Sequence, residues 1–391
     1  MMKRLAIWAL LLVLMVGTAE ALVGSRRVVL SGGGCGTTCL GVNGLSNVTA
    51  TNLSKWRAAR SLVANGVRNS IVNLVGDSTT AGYGTTGNTS NATDAMPGQL
   101  APLINVNASI SSWIGACKQS GGACSTTPMT DSRRSVGNFI SGDGMMGGYA
   151  YLSNTVTGPL TYTPTNQVDT FVVYWINLAA AVMNVTIDGT SAGSITETTA
   201  FTLGHTTFTA TLGNHTIGFL PNAAIYANVA LTIAYNSTLK EVTLLNSGNG
   251  GTAVSAWDTA AGPYSYGQME PALAPDLTII ELTTNDINAG TAIATYETSL
   301  QHIVNYAISS GGSVVLSTGV PDGSFTPTQQ IPYINAVQQV AIANGLPFLN
   351  LYQTWQTWAI ANAKGWMFDA FHPTSLGYGA QAATLAKLLN N

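Results

Sequence analysis

The sequence predicts a parallel β-sheet with helices on both faces, into which an antiparallel β module is inserted. Three observations carry that prediction. Short apolar strands alternate with helical stretches at the start of the chain and again from residue 241. Between about 105 and 240 helical periodicity gives way to alternating, Thr-rich strands and hairpin turns. Polar and Gly-rich turns follow the apolar strands of the first pattern, where open α/β sheets place their ligands.

The 391 residues are 46% hydrophobic and only 8% charged, with a formal net charge of −3. A full core can be buried, but clustered cations for nucleic-acid phosphates are missing, so no nucleic-acid partner is expected. Residues 1–21 read as a secretory signal. Lys3 and Arg4 precede the apolar stretch Leu5 to Val16, which is shorter than a membrane span, and Ala19-Glu20-Ala21 is a small-x-small cleavage site. An uncleaved anchor is the alternative. No later segment is apolar for long enough to cross a bilayer, so no membrane contact is expected after cleavage. The four cysteines, Cys35, Cys39, Cys117 and Cys124, suit disulfides in an exported chain. Pairs 35–39 and 117–124 are the simplest of three connectivities. A zinc site is disfavoured because neither pair has the C-x₂-C spacing and no histidine lies nearby.

Residues 22–50 are rich in Gly, Ser and Thr and read as an irregular leader. A helix follows, with Thr51 or Asn52 as cap, Leu53, Trp56, Ala59, Leu62 and Val63 on one face, and Gly66 at its end. The run Ile71 to Val75 has the length and apolarity of a buried parallel strand and stops at Gly76-Asp77-Ser78. Residues 85–98 are loop. In the inserted region Val168 to Ile176 is aromatic and β-branched, and Met183, Val185 and Ile187 alternate with polar residues before the hairpin signal Asp188-Gly189. Phe201 to Leu212 and Ala227 to Tyr235 are further strands, and the whole reads as a sandwich. From 241 the strands Val242–Leu245, Leu277–Leu282, Val314–Ser317 and Phe348–Leu351 alternate with helices near 291–309, 328–343 and from 375.

Serine acyl transfer needs a base on the hydroxyl, a group that orients the base, and donors for the oxyanion. Ser78, at the end of a strand, is the candidate nucleophile. Only four histidines are available. His205 and His215 lie in the insert, and His302 lies mid-helix. His372 follows Asp369 by three residues in a loop before the last helix, so one loop supplies base and orienter. The backbone N–H groups of Ser78 and Gly251 and the side-chain amide of Asn285 are candidate oxyanion donors, all after strands. Each signal has a bland reading: a strand-ending turn, an Asx turn at Asn285, an N-cap at Asp369, a plain loop at Gly248 to Gly251. Their specificity comes from occurring together and in order.

That set resembles the SGNH/GDSL hydrolase family. Gly76-Asp77-Ser78 is similar to its first block, Asn246-x₄-Gly251 to its second, Thr283-Thr-Asn285-Asp286 to its third and Asp369-x-x-His372-Pro373 to its fifth. Trp56-Arg-Ala-Ala-Arg and the run through Gly84 also look like a bacterial branch. The resemblance covers about 22–104 and 241–391, with 105–240 as the insert, and implies a flavodoxin-like three-layer α/β/α sandwich. It implies that Ser78, His372 and Asp369 form the triad, that Ser78, Gly251 and Asn285 form the oxyanion hole, and that no metal or cofactor is required. Two features depart from the family pattern: Thr283 stands where Gly is usual, and the insert separates the first two blocks. No Gly-x-Ser-x-Gly elbow surrounds Ser78, since position 80 is Thr.

The expected function is a secreted serine esterase acting on short acyl esters, chiefly acetyl groups on carbohydrate, with an acetylated polysaccharide as partner. Leu212-Gly-Asn-His215-Thr is similar to carbohydrate-binding sandwiches found in relatives. A lipase or general carboxylesterase for longer acyl chains is the enzymatic alternative. A non-catalytic carbohydrate-binding or adhesion protein is the alternative from another class. Trp175, Trp257, Tyr264 and Tyr266 are candidates for sugar stacking or for burial in a core.

Overall fold

The computed structural model describes residues 44–49, 51–86, 90–111, 129–135, 137–141, 151–262 and 264–390. The expected signal and all four cysteines lie outside these residues. In chain order the elements around the main sheet are β1 (Leu45–Ser46), α1 (Ser54–Ala64), β2 (Ser70–Gly76), α2 (Ser78–Ala81), α3 (Met96–Leu100), β3 (Ala108–Ile110) and β4 (Val242–Gly248). They continue with α4 (Val254–Trp257), α5 (Tyr266–Leu273), β5 (Leu277–Glu281), α6 (Thr284–Ala289), α7 (Ile293–Ser309), β6 (Ser313–Ser317) and α8 (Pro327–Ala343). Last come β7 (Phe348–Leu349), α9 (Leu351–Trp355), α10 (Trp358–Ala363) and α11 (Ser375–Leu389).

The sheet order is β1-β7-β6-β5-β2-β4-β3. All neighbours are parallel except the edge pair β1 and β7. The α/β/α expectation thus holds, with one short antiparallel edge strand added. The strands are buried on both faces, which explains their near-continuous apolarity. Val72, Leu74, Leu277 and Ile279 face α1, α3 and α11, where Trp56, Leu100 and Tyr378 pack. Val75, Ile280, Val314 and Leu316 face α7 and α8, where Tyr296, Leu300, Tyr333 and Val337 pack. Leaving β2, the chain builds β4 on one side and β5 on the other, so β2 is the topological switch point, where the crevice beyond the strand ends is expected to open.

The segment Ala108–Ile110 pairs with β4 and therefore extends the main sheet, although its sequence reads as part of the insert. Beyond it Val168–Ile176 pairs antiparallel with Leu203–Gly213 and Leu231–Tyr235. A five-stranded sheet runs in the order Thr190–Thr196, Val182–Ile187, Ile217–Pro221, Leu160–Tyr162, Arg134–Ser135. The side-chain alternation of Val168–Ile176 explains the packing. Phe171, Val173 and Trp175 face Met183, Val185 and Phe219 of the five-stranded sheet, completing the sandwich. Val172, Tyr174 and Ile176 face the other way, onto Leu245, Met269 and Leu273 of the α/β part. Trp175, Trp257 and Tyr266 are accordingly buried and not offered for stacking. Among the described residues no helix is long and apolar enough to cross a bilayer.

Candidate active site

Three loops at the carboxyl ends of β2, β4 and β5, and a fourth before α11, meet around Ser78. β2 ends at Gly76, which must be glycine because a Cβ there would lie 2.0 Å from Thr80 Oγ1 and 2.7 Å from the Glu281 carbonyl oxygen. Asp77 then caps the short helix α2, its carboxylate accepting the Thr79 N–H (2.9 Å) and the Thr79 hydroxyl (2.8 Å). Ser78 is the first residue of α2, and Gly82 closes it in the left-handed region at φ 89°.

The loop before α11 brings the imidazole to this hydroxyl. Asp369 accepts the backbone N–H groups of Phe371 and His372, both at 2.7 Å, which folds the loop back on itself. The same carboxylate meets His372 Nδ1 at 2.8 Å through Oδ2. With Nδ1–H donated there, Nε2 is left to accept, and it lies 2.9 Å from Ser78 Oγ. Burial opposes charge on Asp369, but the bonds from His372 and the two backbone amides outweigh it and hold the carboxyl below the usual range, so it stays an anion. Tyr83 packs its ring 4.4 Å from that of His372, and its carbonyl accepts the Tyr378 hydroxyl.

An Asp–His pair alone does not mark this place. His215 Nδ1 meets Asp188 at 2.6 Å and His302 Nδ1 meets Asp258 at 2.9 Å. The second nitrogen of His215 goes to the Thr211 carbonyl, a structural tie within the insert. His205 lies beside Tyr174, also in the insert. Among the described residues only His372 joins a carboxylate to a serine hydroxyl.

The candidate oxyanion donors come from the flanking strands. Gly248 ends β4 in register with Gly76, where a Cβ would lie 2.2 Å from the Ala81 nitrogen, so only glycine lets this loop reach Ser78. Asn246 shapes the turn by accepting the Gly248 N–H at 3.0 Å. A Cβ on Gly250 would lie 3.8 Å from Ser78 Cβ, and Gly251 follows at φ 75°, a conformation glycine adopts freely. From β5, Asn285 donates one amide hydrogen to Asp77 Oδ2 at 3.0 Å. Its second hydrogen remains for a ligand, and Asp77 fixes the plane of the amide. Thr283, in place of the usual glycine, sits at φ −144°, which any residue adopts. Its hydroxyl accepts the Gly319 N–H at 3.0 Å and ties the β5 and β6 loops together. Asp286 holds the adjoining helix α4 by accepting the Val254 N–H at 2.8 Å.

Sequence reading missed the polar layer beneath this rim. Glu281, the last residue of β5, is buried and touches Thr79 Oγ1 (3.2 Å) and Gln381 Nε2 (2.7 Å). The signal was a lone carboxylate inside the apolar run Leu277 to Leu282. Burial first, then the Asp77 charge, push Glu281 up to about 8, against the bonds from Thr79 and Gln381. Burial likewise raises Asp77. Asp322, beyond β6, is pushed up to about 6, chiefly by burial. Among the described residues no cluster of three or more His, Cys, Asp or Glu side chains is assembled for a metal ion. A hydroxyl held against an imidazole that is itself backed by a carboxylate can give up its proton and attack a carbonyl carbon.

Part of the chain matches a known family, and its fold recurs in a solved structure. Residues 226–380 match the GDSL-like Lipase/Acylhydrolase family. No curated protein gives a sequence match. Among solved structures, a peptidoglycan O-acetylesterase superposes with a TM-score of 0.64 at 18% identity, over 88% of this chain and 97% of its own. A lipase/acylhydrolase from Enterococcus faecalis aligns at 19% identity over 39% of this chain and 77% of its own, with a TM-score of 0.33. A family two carbohydrate esterase from Cellvibrio japonicus aligns at 14% identity over 64% and 94%, with a TM-score of 0.30. Over residues 226–380 the chain is thus similar to the GDSL-like Lipase/Acylhydrolase family, on a fold shared with an O-acetylesterase, and these mark it as an ester-hydrolysing enzyme.

Proposed function

We propose that this protein is an exported serine esterase that removes short acyl groups, acetyl above all, from carbohydrate. Ser78 is the nucleophile, His372 the general base and Asp369 its orienter. As Ser78 Oγ attacks the ester carbonyl, its proton passes to His372 Nε2, and the imidazolium is stabilised by Asp369. The N–H groups of Ser78 and Gly251 and the Asn285 amide receive the negative oxygen. The C–O bond to the alcohol breaks, and His372 returns the proton to the leaving oxygen. Water, activated by the same imidazole, then releases the acid and restores Ser78.

The observation that carries this reading is the 2.9 Å contact between Ser78 Oγ and His372 Nε2 at the switch point of the sheet. The choice of an acetylated carbohydrate draws support from the signal-like start and from the likeness in fold to a peptidoglycan O-acetylesterase. Acetate release from O-acetylated peptidoglycan and from acetylated xylan tests it, with p-nitrophenyl acetate, octanoate and palmitate as a chain-length series. Turnover should favour acetate and vanish in folded Ser78→Ala and His372→Ala variants. Preference for palmitate would overturn the acetyl assignment, and full activity in Ser78→Ala would overturn the mechanism.

A further inference from the structure

The reaction outlined above gives work to Ser78, His372, Asp369 and the oxyanion donors, but none to the buried carboxyl below them. Glu281 and Asp77 are both buried, and one hydroxyl lies between them. Thr79 Oγ1 is 2.8 Å from Asp77 Oδ1 and 3.2 Å from Glu281 Oε1. A hydroxyl has one hydrogen. If Thr79 donates it to Asp77, the nearer partner, then the contact to Glu281 is a hydrogen bond only when Glu281 carries the proton. The other Glu281 oxygen accepts from Gln381, so the protonated oxygen is the one facing Thr79. On its far side Asp77 has a single further partner, the Asn285 amide at 3.0 Å.

We propose that Glu281 is a positioning residue of the esterase reaction: it stays protonated in the working enzyme and donates to the Thr79 hydroxyl, which donates to Asp77, so that Asp77 remains an anion aimed at the Asn285 amide. The chain of donors then runs one way, from Glu281 through Thr79 to Asp77, and Asn285 meets it from the opposite side with one hydrogen, keeping the other for the oxyanion. Removal of the Glu281 proton breaks the order. Two carboxylates then compete for one hydroxyl hydrogen, and a second buried negative charge stands beneath the site where the oxyanion forms.

The surrounding groups fit this assignment. Glu281 is faced by Asp77 from the Ser78 turn and by Gln381 and Tyr378 from α11. Asp77 in turn lies in the fields of His372, Asp286, Asp322 and Tyr296. Asp369 lies in reach of Tyr378 and Asp322. Burial lifts Tyr378 and Tyr296 well above their ordinary range, so neither ionises near neutrality. Glu281, buried beside the Asp77 charge, is pushed up to about 8, so its proton is lost just above neutral pH.

The inference rests on Asn285 acting as an oxyanion donor, and its test keeps the two apart. kcat and KM for p-nitrophenyl acetate are followed from pH 6 to 10 in the wild type, Glu281→Gln, Thr79→Val, Thr79→Ser and Asn285→Ala. Wild-type kcat should fall on the order of tenfold above about pH 8, with KM nearly constant. Glu281→Gln, whose amide donates at every pH, should keep kcat within about threefold at pH 7 and lose the alkaline fall. Thr79→Val should lower kcat throughout and flatten the alkaline limb, and Thr79→Ser should restore both. A wild type without an alkaline fall, or the same fall in Glu281→Gln, overturns the proposal. Should Glu281→Gln fail to fold, an alkaline fall that survives in Thr79→Val overturns it equally. A normal kcat in Asn285→Ala refutes the oxyanion reading and this inference with it. Loss of kcat there, with the alkaline fall intact in Glu281→Gln, refutes this inference alone.

Discussion

Asp77 and Asn285 should behave as one unit in catalysis, and a double-mutant cycle measures this. Under the proposed mechanism Asn285→Ala removes a side-chain oxyanion donor, for an expected loss of about 10²–10³ in kcat, or roughly 2.7–4 kcal/mol. Asp77→Asn keeps an oxygen for Thr79 but turns an amide nitrogen toward Asn285 Nδ2, so two donors face each other where a carboxylate accepted at 3.0 Å. Loss of one charge-assisted hydrogen bond is worth about 1.5–3 kcal/mol. Because Asp77 acts through Asn285, its effect on kcat is capped by that of Asn285→Ala, and about 10–100-fold is expected at nearly unchanged KM. The double variant should resemble Asn285→Ala alone. Saturating p-nitrophenyl acetate kinetics on four folded proteins decides the matter, with melting temperatures confirming that the Ser78 turn survives. Losses that multiply would mean independent contributions and would refute the coupling.

Two further outcomes concern stability. Glu197 and Glu270 are both raised to about 7, in each case first by burial. An unfolded glutamate releases its proton near pH 4.3, so between there and about 7 the folded chain binds more protons than the unfolded one and stability falls as pH rises. Urea midpoints should therefore drop from pH 5 to pH 8, and the drop should shrink in Glu197→Gln/Glu270→Gln; His215, raised by Asp188, and Glu281 contribute a remainder of the same sign. Arg133 pairs with buried Asp131 at 2.7 Å and donates to the Ile110 and Ser111 carbonyls at the end of β3. Arg133→Ala should cost about 3–5 kcal/mol in urea unfolding by removing the guanidinium paired with that carboxylate, and Arg133→Ala/Asp131→Ala should recover part of the loss.

The parts of this molecule that were legible in the sequence are those governed by local pattern. The boundaries of α7 and α8 and the start of α11 lie within two residues of where periodicity puts them, since each long helix buries a regular apolar face. Leu277–Glu281 and Ser313–Ser317 are legible because strands buried on both sides admit little besides apolar residues. Ala108–Ile110 was not legible: three residues in an edge strand carry too short a pattern, and only their pairing with β4 gives them a place. The first helix begins at Ser54 with neither candidate cap in place: Thr51 meets the Thr49 hydroxyl, and Asn52 turns back to the Thr49 N–H and the Asn47 carbonyl. At the candidate site, Ser78, His372 and Asp369 were legible as a set because short motifs hold them, and the structure brings them within hydrogen-bond distance. Glu281, Thr79 and Gln381 meet from three separate elements, a convergence that no spacing along the chain encodes.

The insert shows why a boundary read from composition is not a boundary in energy. β3 and β4 are adjacent and parallel, so the chain must cross back from the end of one to the start of the other. Such a crossover is ordinarily a helix that covers the sheet. Here a β-sandwich makes the crossing, and the outer face of Val168–Ile176 and Leu231–Tyr235 lies where that helix would, over Leu245, Met269 and Leu273. Those three side chains are nearly inaccessible to solvent. At about 1.5–3 kcal/mol for each buried side chain, uncovering them forfeits about 5–9 kcal/mol, which is on the scale of a whole domain's stability. Replacement of residues 112–240 by a short flexible linker should therefore yield an aggregating or dye-binding chain rather than a smaller esterase, as gel filtration and ANS fluorescence would read. A monomeric, active deletion variant melting within a few degrees of the parent would show that the sandwich is an appendage, and that the α/β layers can do without its cover.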